Sequence, residues 1–278
     1  MEHIRVERDG AVGRLVIARR ERFNSFDVAT ARDFRKAGLE LARDPAVRAV
    51  VITGEGGVFS SGADLKYIRA GGEAADLAYL SPSARAVPEG SGEIFKQILE
   101  YLHSTISEIR RAPKPFVAAV DGMAAAGGFG IAMCCDLVVA SERAVFEWAY
   151  GKTALTGAES STFLLPRLVG FRRAMELALL NPRLDARRAL ELGLVNAVFP
   201  DDAFEGEVAE LARHLAAGPT RSFAVTKALL NRAAGLDRLD FHLDQELEEL
   251  ARVADGEDFA AGLEAFFTRT SPDFRGEG

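Results

Sequence analysis

The run from Val120 to Asp136 puts small residues, Gly122, Ala124 to Gly128 and Gly130, where an apolar strand gives way to a helix. Glycine and alanine let a ligand approach the backbone closely, and the first N–H groups of a helix have no partner within it. Backed by the positive end of the helix dipole, such donors suit an oxygen that gains negative charge, which is half of an oxyanion hole. The same residues also suit a tight turn and a close-packed helix that holds no ligand. A second small-residue stretch, Phe59 to Lys66, follows the apolar strand that ends at Gly54. Two such turns on neighbouring strands could converge on one carbonyl oxygen. The four histidines, His3, His103, His214 and His242, lack metal-ligand spacing, so no metal is expected. Cys134 and Cys135 are adjacent and have no other cysteine to pair with, as befits small core residues of a reducing compartment.

The elements that must position these turns are legible from periodicity. Ile4 to Arg8 and Val12 to Ile17 alternate around Asp9 and Gly10, which predicts a hairpin. A helix is expected from Val28 to Arg43, before Pro45, and another from about Ile94 to Arg111. Ala49 to Gly54 and Phe116 to Val120 read as buried parallel strands, so the architecture is α/β. The span from Arg69 to Gly92 has loop composition and the length of a lid. Beyond Pro200 the pattern is helical over Phe204 to Ala216, Thr220 to Ala234 and Leu239 to Phe267. The expected division is a core over residues 1–200 and a helical region over 201–278 that packs on a neighbouring subunit.

At 278 residues and 48% hydrophobic, the chain can bury a large core. A net charge of −7 argues against a nucleic-acid surface, although Arg19, Arg20 and Arg22, and again Arg269 and Arg275, cluster enough to meet a small polyanion. The apolar run from Phe116 to Cys135 is interrupted by Asp121 and glycines, which suits a strand and a helix better than a membrane span. Met1 to Arg5 lacks the apolar stretch of a signal peptide, so the expected location is cytoplasmic, with no membrane partner.

Taken in order and spacing, further motifs carry a resemblance. They are Phe23 to Phe26, Ser61 to Lys66, the glycine segment through Asp136, Leu165 to Gly170, Ala189 to Asn196 and Ala265 to Phe274. Over nearly its whole length the chain resembles the enoyl-CoA hydratase/isomerase, or crotonase, superfamily. The resemblance implies a spiral of ββα units with a helical C-terminal region, assembled as a trimer or a pair of trimers. It also implies an acyl-CoA thioester substrate and no cofactor beyond that CoA moiety. Matched residue by residue, the oxyanion hole would be the N–H groups of Ala63 and Gly127. Arg22, Ser61, Asp64, Leu65 and Lys66 would line the CoA, with Phe266 and Arg269 at its adenine end. Met123, Trp148 and Tyr150, beside Phe146, would wall the acyl pocket.

The departures from that family pattern are equally informative. Its hydratases use two glutamates, at positions that here hold Gly130 and Tyr150. Neither moves a proton as a carboxylate does. A third family position, eight residues beyond Tyr150, carries a carboxylate in many double-bond isomerases; here it is Ala158, with Glu159 next to it. One residue of offset turns a helical side chain by ~100°. Glu159 then either reaches the pocket through a shift allowed by Gly157 or only stabilises the following helix start. His103 matches a general-base histidine of family dehalogenases, whose nucleophile would fall at Ala158; a hydrogen-bonded packing histidine is the other reading. The expected activity is therefore an enoyl-CoA isomerase using Glu159, with or without His103. A hydratase or lyase with another water-activating group and a non-catalytic acyl-CoA-binding member are the alternatives.

Overall fold

The computed structural model describes residues 1–77 and 90–276. Strands β1 (Ile4–Asp9) and β2 (Val12–Ile17) pair antiparallel around Gly10, whose φ of +57° glycine adopts without strain. Helix α1 (Val28–Arg43) begins where the Asp27 carboxylate accepts the Thr30 N–H at 2.7 Å. It buries the stripe of Val28, Ala31, Phe34, Ala37 and Leu41.

Three units then repeat one plan. In the first, β3 (Ala49–Gly54) and β4 (Val58–Ser60) precede α2 (Leu65–Arg69), α3 (Ala74–Leu77) and the long α4 (Ser91–Arg111). In the second, β5 (Phe116–Val120) and β6 (Met123–Ala125) precede α5 (Gly127–Cys134). In the third, β7 (Leu137–Ser141) and β8 (Val145–Glu147) precede α6 (Ser161–Val169) and α7 (Phe171–Leu180). Strand β9 (Leu184–Asp185), α8 (Ala186–Glu191) and β10 (Ala197–Phe199) follow. The first strand of each unit enters one sheet, ordered β1-β2-β3-β5-β7-β10, and the second enters a smaller one, ordered β4-β6-β8-β9. Successive units therefore add parallel neighbours to both sheets at once, which is the expected spiral of ββα units.

Alternation along the large sheet divides the apolar residues between two cores. Val50, Ile52, Ala118 and Val120 face the main core with Phe34, Leu99 and Leu102. Ala49, Val51, Val117 and Ala119 face Val208 and Ala212 of α9 (Phe204–Ala217). The remaining helices are α10 (Thr220–Ala233), α11 (Leu239–Ala254) and α12 (Glu257–Thr268). The single helical run expected from Leu239 to Phe267 is thus two helices. Gly256 takes an extended conformation between them, and the Asp255 carboxylate accepts the Gly92 N–H at 2.7 Å where α4 begins. Leu239, Leu243 and Leu250 carry α11 into the main core, whereas α10 buries none of its residues. Part of the expected lid is α3 and the start of α4; residues 78–89 lie outside the described residues. Among the described residues, no helix is long and apolar enough to cross a membrane.

Candidate active site

The small sheet delivers both small-residue turns to one place. Phe26 donates its N–H to the Gly62 carbonyl and accepts the Asp64 N–H, both at 2.8 Å. This bridge uses the groups on either side of Ala63, so Ala63 turns its own N–H the other way, toward a cavity of about 380 Å³ that it lines. Gly62 makes the close approach possible: a Cβ there would lie 2.9 Å from the Gly127 nitrogen. Just before it, Ala126 is held at φ 46° and ψ −121°, a strained conformation for alanine, with its N–H on the Glu147 carbonyl at 3.1 Å. The chain then enters α5 with Gly127 as its first residue, whose N–H has no acceptor within the helix. Ala63 and Gly127 both line the cavity, the arrangement that stabilises a carbonyl oxygen as charge develops.

Glu159 is buried in the wall beside that pair. A Cβ built on Gly127 would lie 2.6 Å from Glu159 Oε1, so the carboxyl sits directly over the first turn of α5. The one-residue offset is absorbed by backbone strain at Glu159 itself (φ 49°) and at Ser160 (φ 63°). Gly157 has a different part from the one expected: a Cβ there would strike Trp148 at 2.5 Å, so it admits the indole rather than a turn. Gly130 is required in the same way, because a Cβ there would meet the Glu159 carbonyl oxygen at 2.5 Å and its Cβ at 2.7 Å. Space that a glutamate would fill at position 130 is occupied by Glu159.

Tyr150 orients the carboxyl. Its hydroxyl oxygen lies 2.5 Å from Glu159 Oε2 and 3.1 Å from the Ala158 carbonyl oxygen. Burial pushes Glu159 up to about 7, opposed by the Tyr150 hydrogen bond. Burial and the neighbouring carboxylate hold the Tyr150 hydroxyl well above its ordinary value. His103 stands behind this pair and does not line the cavity: its Nε2 accepts the Glu159 N–H at 3.1 Å, which requires the neutral ring. Burial pushes its pKa down to about 3.

A residue that the motifs did not reveal fixes the same loop. Glu246 of α11 accepts the Ser160 N–H at 2.8 Å, the Thr162 N–H at 2.9 Å and the Thr162 hydroxyl, capping α6 from another helix. Its only signal is a carboxylate on the apolar stripe of Leu239, Leu243 and Leu250. Glu246→Ala is expected to lower the unfolding free energy by about 1–3 kcal/mol, because it leaves those buried donors unpaired. Urea denaturation measures this.

Toward the other end of the cavity lie Arg22, Ser61, Asp64, Leu65, Lys66 and Phe266, with Phe267, whose ring carries the Arg69 guanidinium at 3.7 Å. Asp64 caps α2 and binds both Arg19, at 2.9 Å, and Arg22, at 3.1 Å. Arg19 is buried and also pairs with Asp27, so it is a tie between loops rather than a polyanion site. Met123 and Tyr150 line the cavity, while Trp148 lies outside it, packed edge-on against Tyr150 with centroids 5.2 Å apart. Arg269 is the exposed C-terminal cap of α12 and also lies outside the lining.

A sequence model of enoyl-CoA hydratase/isomerase matches residues 7–86 and 91–277. 4-Chlorobenzoyl coenzyme A dehalogenase-2 of Arthrobacter sp. is 33% identical over 264 residues, covering 95% of this chain and 90% of its own. The 1,2-epoxyphenylacetyl-CoA isomerase of Escherichia coli K12 is 31% identical over 279 residues, 100% of both chains. Among solved structures, an enoyl-CoA hydratase from Mycobacterium avium subsp. paratuberculosis K-10 superimposes with a TM-score of 0.84 at 34% identity, covering 98% of each chain.

Proposed function

Since this chain belongs to the enoyl-CoA hydratase/isomerase family, we propose that it isomerises CoA thioesters by moving one proton through Glu159 while the Ala63 and Gly127 N–H groups hold the thioester oxygen. One observation carries the reading: a buried carboxyl in the cavity wall, over the first turn of α5, with Gly130 and Tyr150 where the resembled hydratases have their glutamates. The Glu159 carboxylate removes a proton from a carbon conjugated to the thioester. The electrons of that C–H bond form a new double bond, and the charge goes to the thioester oxygen in the hole. Returning the proton to another carbon of the same conjugated system moves the double bond and restores Glu159. A single carboxyl suffices for both transfers.

Tyr150 supports both protonation states. Toward the carboxylate, its hydroxyl donates to Oε2; toward the protonated acid, it accepts from Oε2 and donates to the Ala158 carbonyl. A buried carboxyl thus keeps a partner throughout the cycle. His103 is assigned a positioning role through the Glu159 N–H. The dehalogenases that the chain resembles need a nucleophile at the position of Ala158, which supports isomerisation over dehalogenation. At the far end, Arg22 and Lys66 would meet CoA phosphates and Phe266 the adenine, with Arg269 beyond it. No cofactor other than the CoA of the substrate takes part, and the buried free thiols of Cys134 and Cys135 fit a reducing cytoplasm.

Incubation with an enoyl-CoA in deuterated water tests the reading. Isomerisation without net uptake of water is expected, with the migrating hydrogen retained except where Glu159 exchanges it for solvent deuterium before returning it, whereas solvent oxygen fixed in the product would mean hydration. Because the base works as a carboxylate, kcat/KM should be present above about pH 7 and fall as pH drops through that value. Tyr150→Phe removes a hydrogen bond that favours the ionised form, so its midpoint should move upward.

The assembly is proposed as a trimer or a pair of trimers. Phe171, Met175 and Leu179 form an exposed apolar stripe on α7, and Val225, Leu229 and Leu230 another on α10. Leu229→Glu with Leu230→Glu is expected to shift sedimentation from the assembled species to the monomer. A wild-type chain that sediments as a monomer at micromolar concentration would contradict the assignment.

A further inference from the structure

The cavity wall also holds the buried carboxylate of Glu147, which the proposed proton transfer does not use. The register of the small sheet explains its position. Ala125 on β6 pairs with Glu147 on β8, and Phe146 pairs with Leu184 on β9, so the residue across from Glu147 is Arg183. Ala124, Phe146 and Leu184 point into the main core; Met123, Ala125, Glu147 and Arg183 therefore share the opposite face and line the cavity. Glu147 Oε2 accepts from Arg183 Nε at 3.2 Å, and Oε1 pairs with Lys152. One carboxylate is thus matched to two cations, both in the lining.

The cations are held but not used up. Arg183 engages Glu147 only through Nε, its side chain is 71% exposed, and its two terminal nitrogens have no partner among the described residues. Among the described residues Lys152 pairs only with Glu147, and it is 45% exposed. A guanidinium anchored at Nε leaves its planar fork free, and that fork matches a carboxylate in bidentate fashion. Sheet order shows which end of the ligand it would meet. β4 leads to the Ser61–Lys66 turn, β6 to Gly127, β8 to Tyr150, and β9 lies beyond. Arg183 and Lys152 are therefore across the hole from Arg22 and Lys66.

We propose that Arg183 and Lys152, oriented by Glu147, form an anion subsite at the acyl end of the cavity, and that the substrates are thioesters whose acyl group ends in a carboxylate. This rests on the CoA-thioester reading above. Calorimetric binding of freshly prepared saturated ligands, which have no double bond to move, tests it: succinyl-, glutaryl- and adipyl-CoA against butyryl-, pentanoyl- and hexanoyl-CoA, with free CoA alongside. At one length the carboxylated thioester should bind about tenfold or more tightly than its uncharged partner, as expected of a charged hydrogen-bond pair. Arg183→Met should remove that preference while leaving uncharged thioesters within about twofold, since Lys152 still pairs with the Glu147 carboxylate.

Equal affinity within every pair, or a preference that survives Arg183→Met, would overturn the subsite. Weakening of free CoA by Arg183→Met as large as that of the carboxylated thioester would assign the cations to a nucleotide phosphate and also overturn it. Failure of all the thioesters and CoA to bind would remove the CoA-thioester reading itself, a result distinct from uncharged ligands binding alone.

Discussion

Glu159→Gln is expected to lower kcat by about 10² or more, the usual worth of a positioned acid or base, with the affinity for a CoA thioester little changed. The amide keeps the shape of the side chain and an oxygen for the Tyr150 hydroxyl, and it lacks the proton-accepting charge. The hole and the Arg22–Lys66 end of the cavity are untouched. Deuterium exchange at the substrate's acidic carbon should fall with kcat. Stability gives a second readout. Glu159 titrates at about 7 in the fold against 4.5 for the free group, so the native state holds the extra proton and loses stability as pH rises between those values. The variant should consequently unfold at higher urea than the parent above pH 7, by up to about 3 kcal/mol. Unchanged exchange together with such stabilisation would mean that Glu159 is a buried bystander, and the base would have to be sought elsewhere in the lining.

A loss of comparable size is expected at the hole. Gly127→Pro deletes the N–H, and losing one such donor costs about 10²–10³ in rate. Proline suits the first position of a helix, which limits the damage to α5. Any Cβ at this position also presses on Glu159 Oε1, built at 2.6 Å, so Gly127→Ala is the necessary companion. Alanine and proline share that Cβ; only proline lacks the donor. Gly127→Ala should therefore lower kcat by displacing the carboxyl, and Gly127→Pro should lower it further by the donor's share. Circular dichroism and thioester binding in both variants show whether the fold persists. Equal rates in two folded variants would remove Gly127 from the hole.

Local features of the chain were legible without coordinates. The Asp9-Gly10 hairpin, α1 over Val28–Arg43, and the strands Ala49–Gly54 and Phe116–Val120 follow from alternation, helical spacing, caps and turns, all short-range properties. The small-residue turns were equally readable, because an open backbone donor needs the absence of side chains, and absence is written in the sequence. Gly130, Tyr150 and Ala158 likewise marked the departure from paired glutamates before any geometry was known.

The sequence by itself therefore determined the architecture, the two turns and the lack of a carboxylate at the expected positions. Only the tertiary structure decided where Glu159 points. Its direction depends on two left-handed residues, on the Tyr150 hydroxyl nine residues before it, and on the vacancy at Gly130 and the His103 ring, which lie farther off in the chain. The same holds for Glu246, which caps a helix at Thr162, 84 residues before it in the chain, and for Arg19, turned from surface charge into a buried tie by Asp27 and Asp64. Periodicity reports which side of an element is apolar; it carries no information on which distant groups meet a buried charge, and that meeting sets its orientation and its proton affinity.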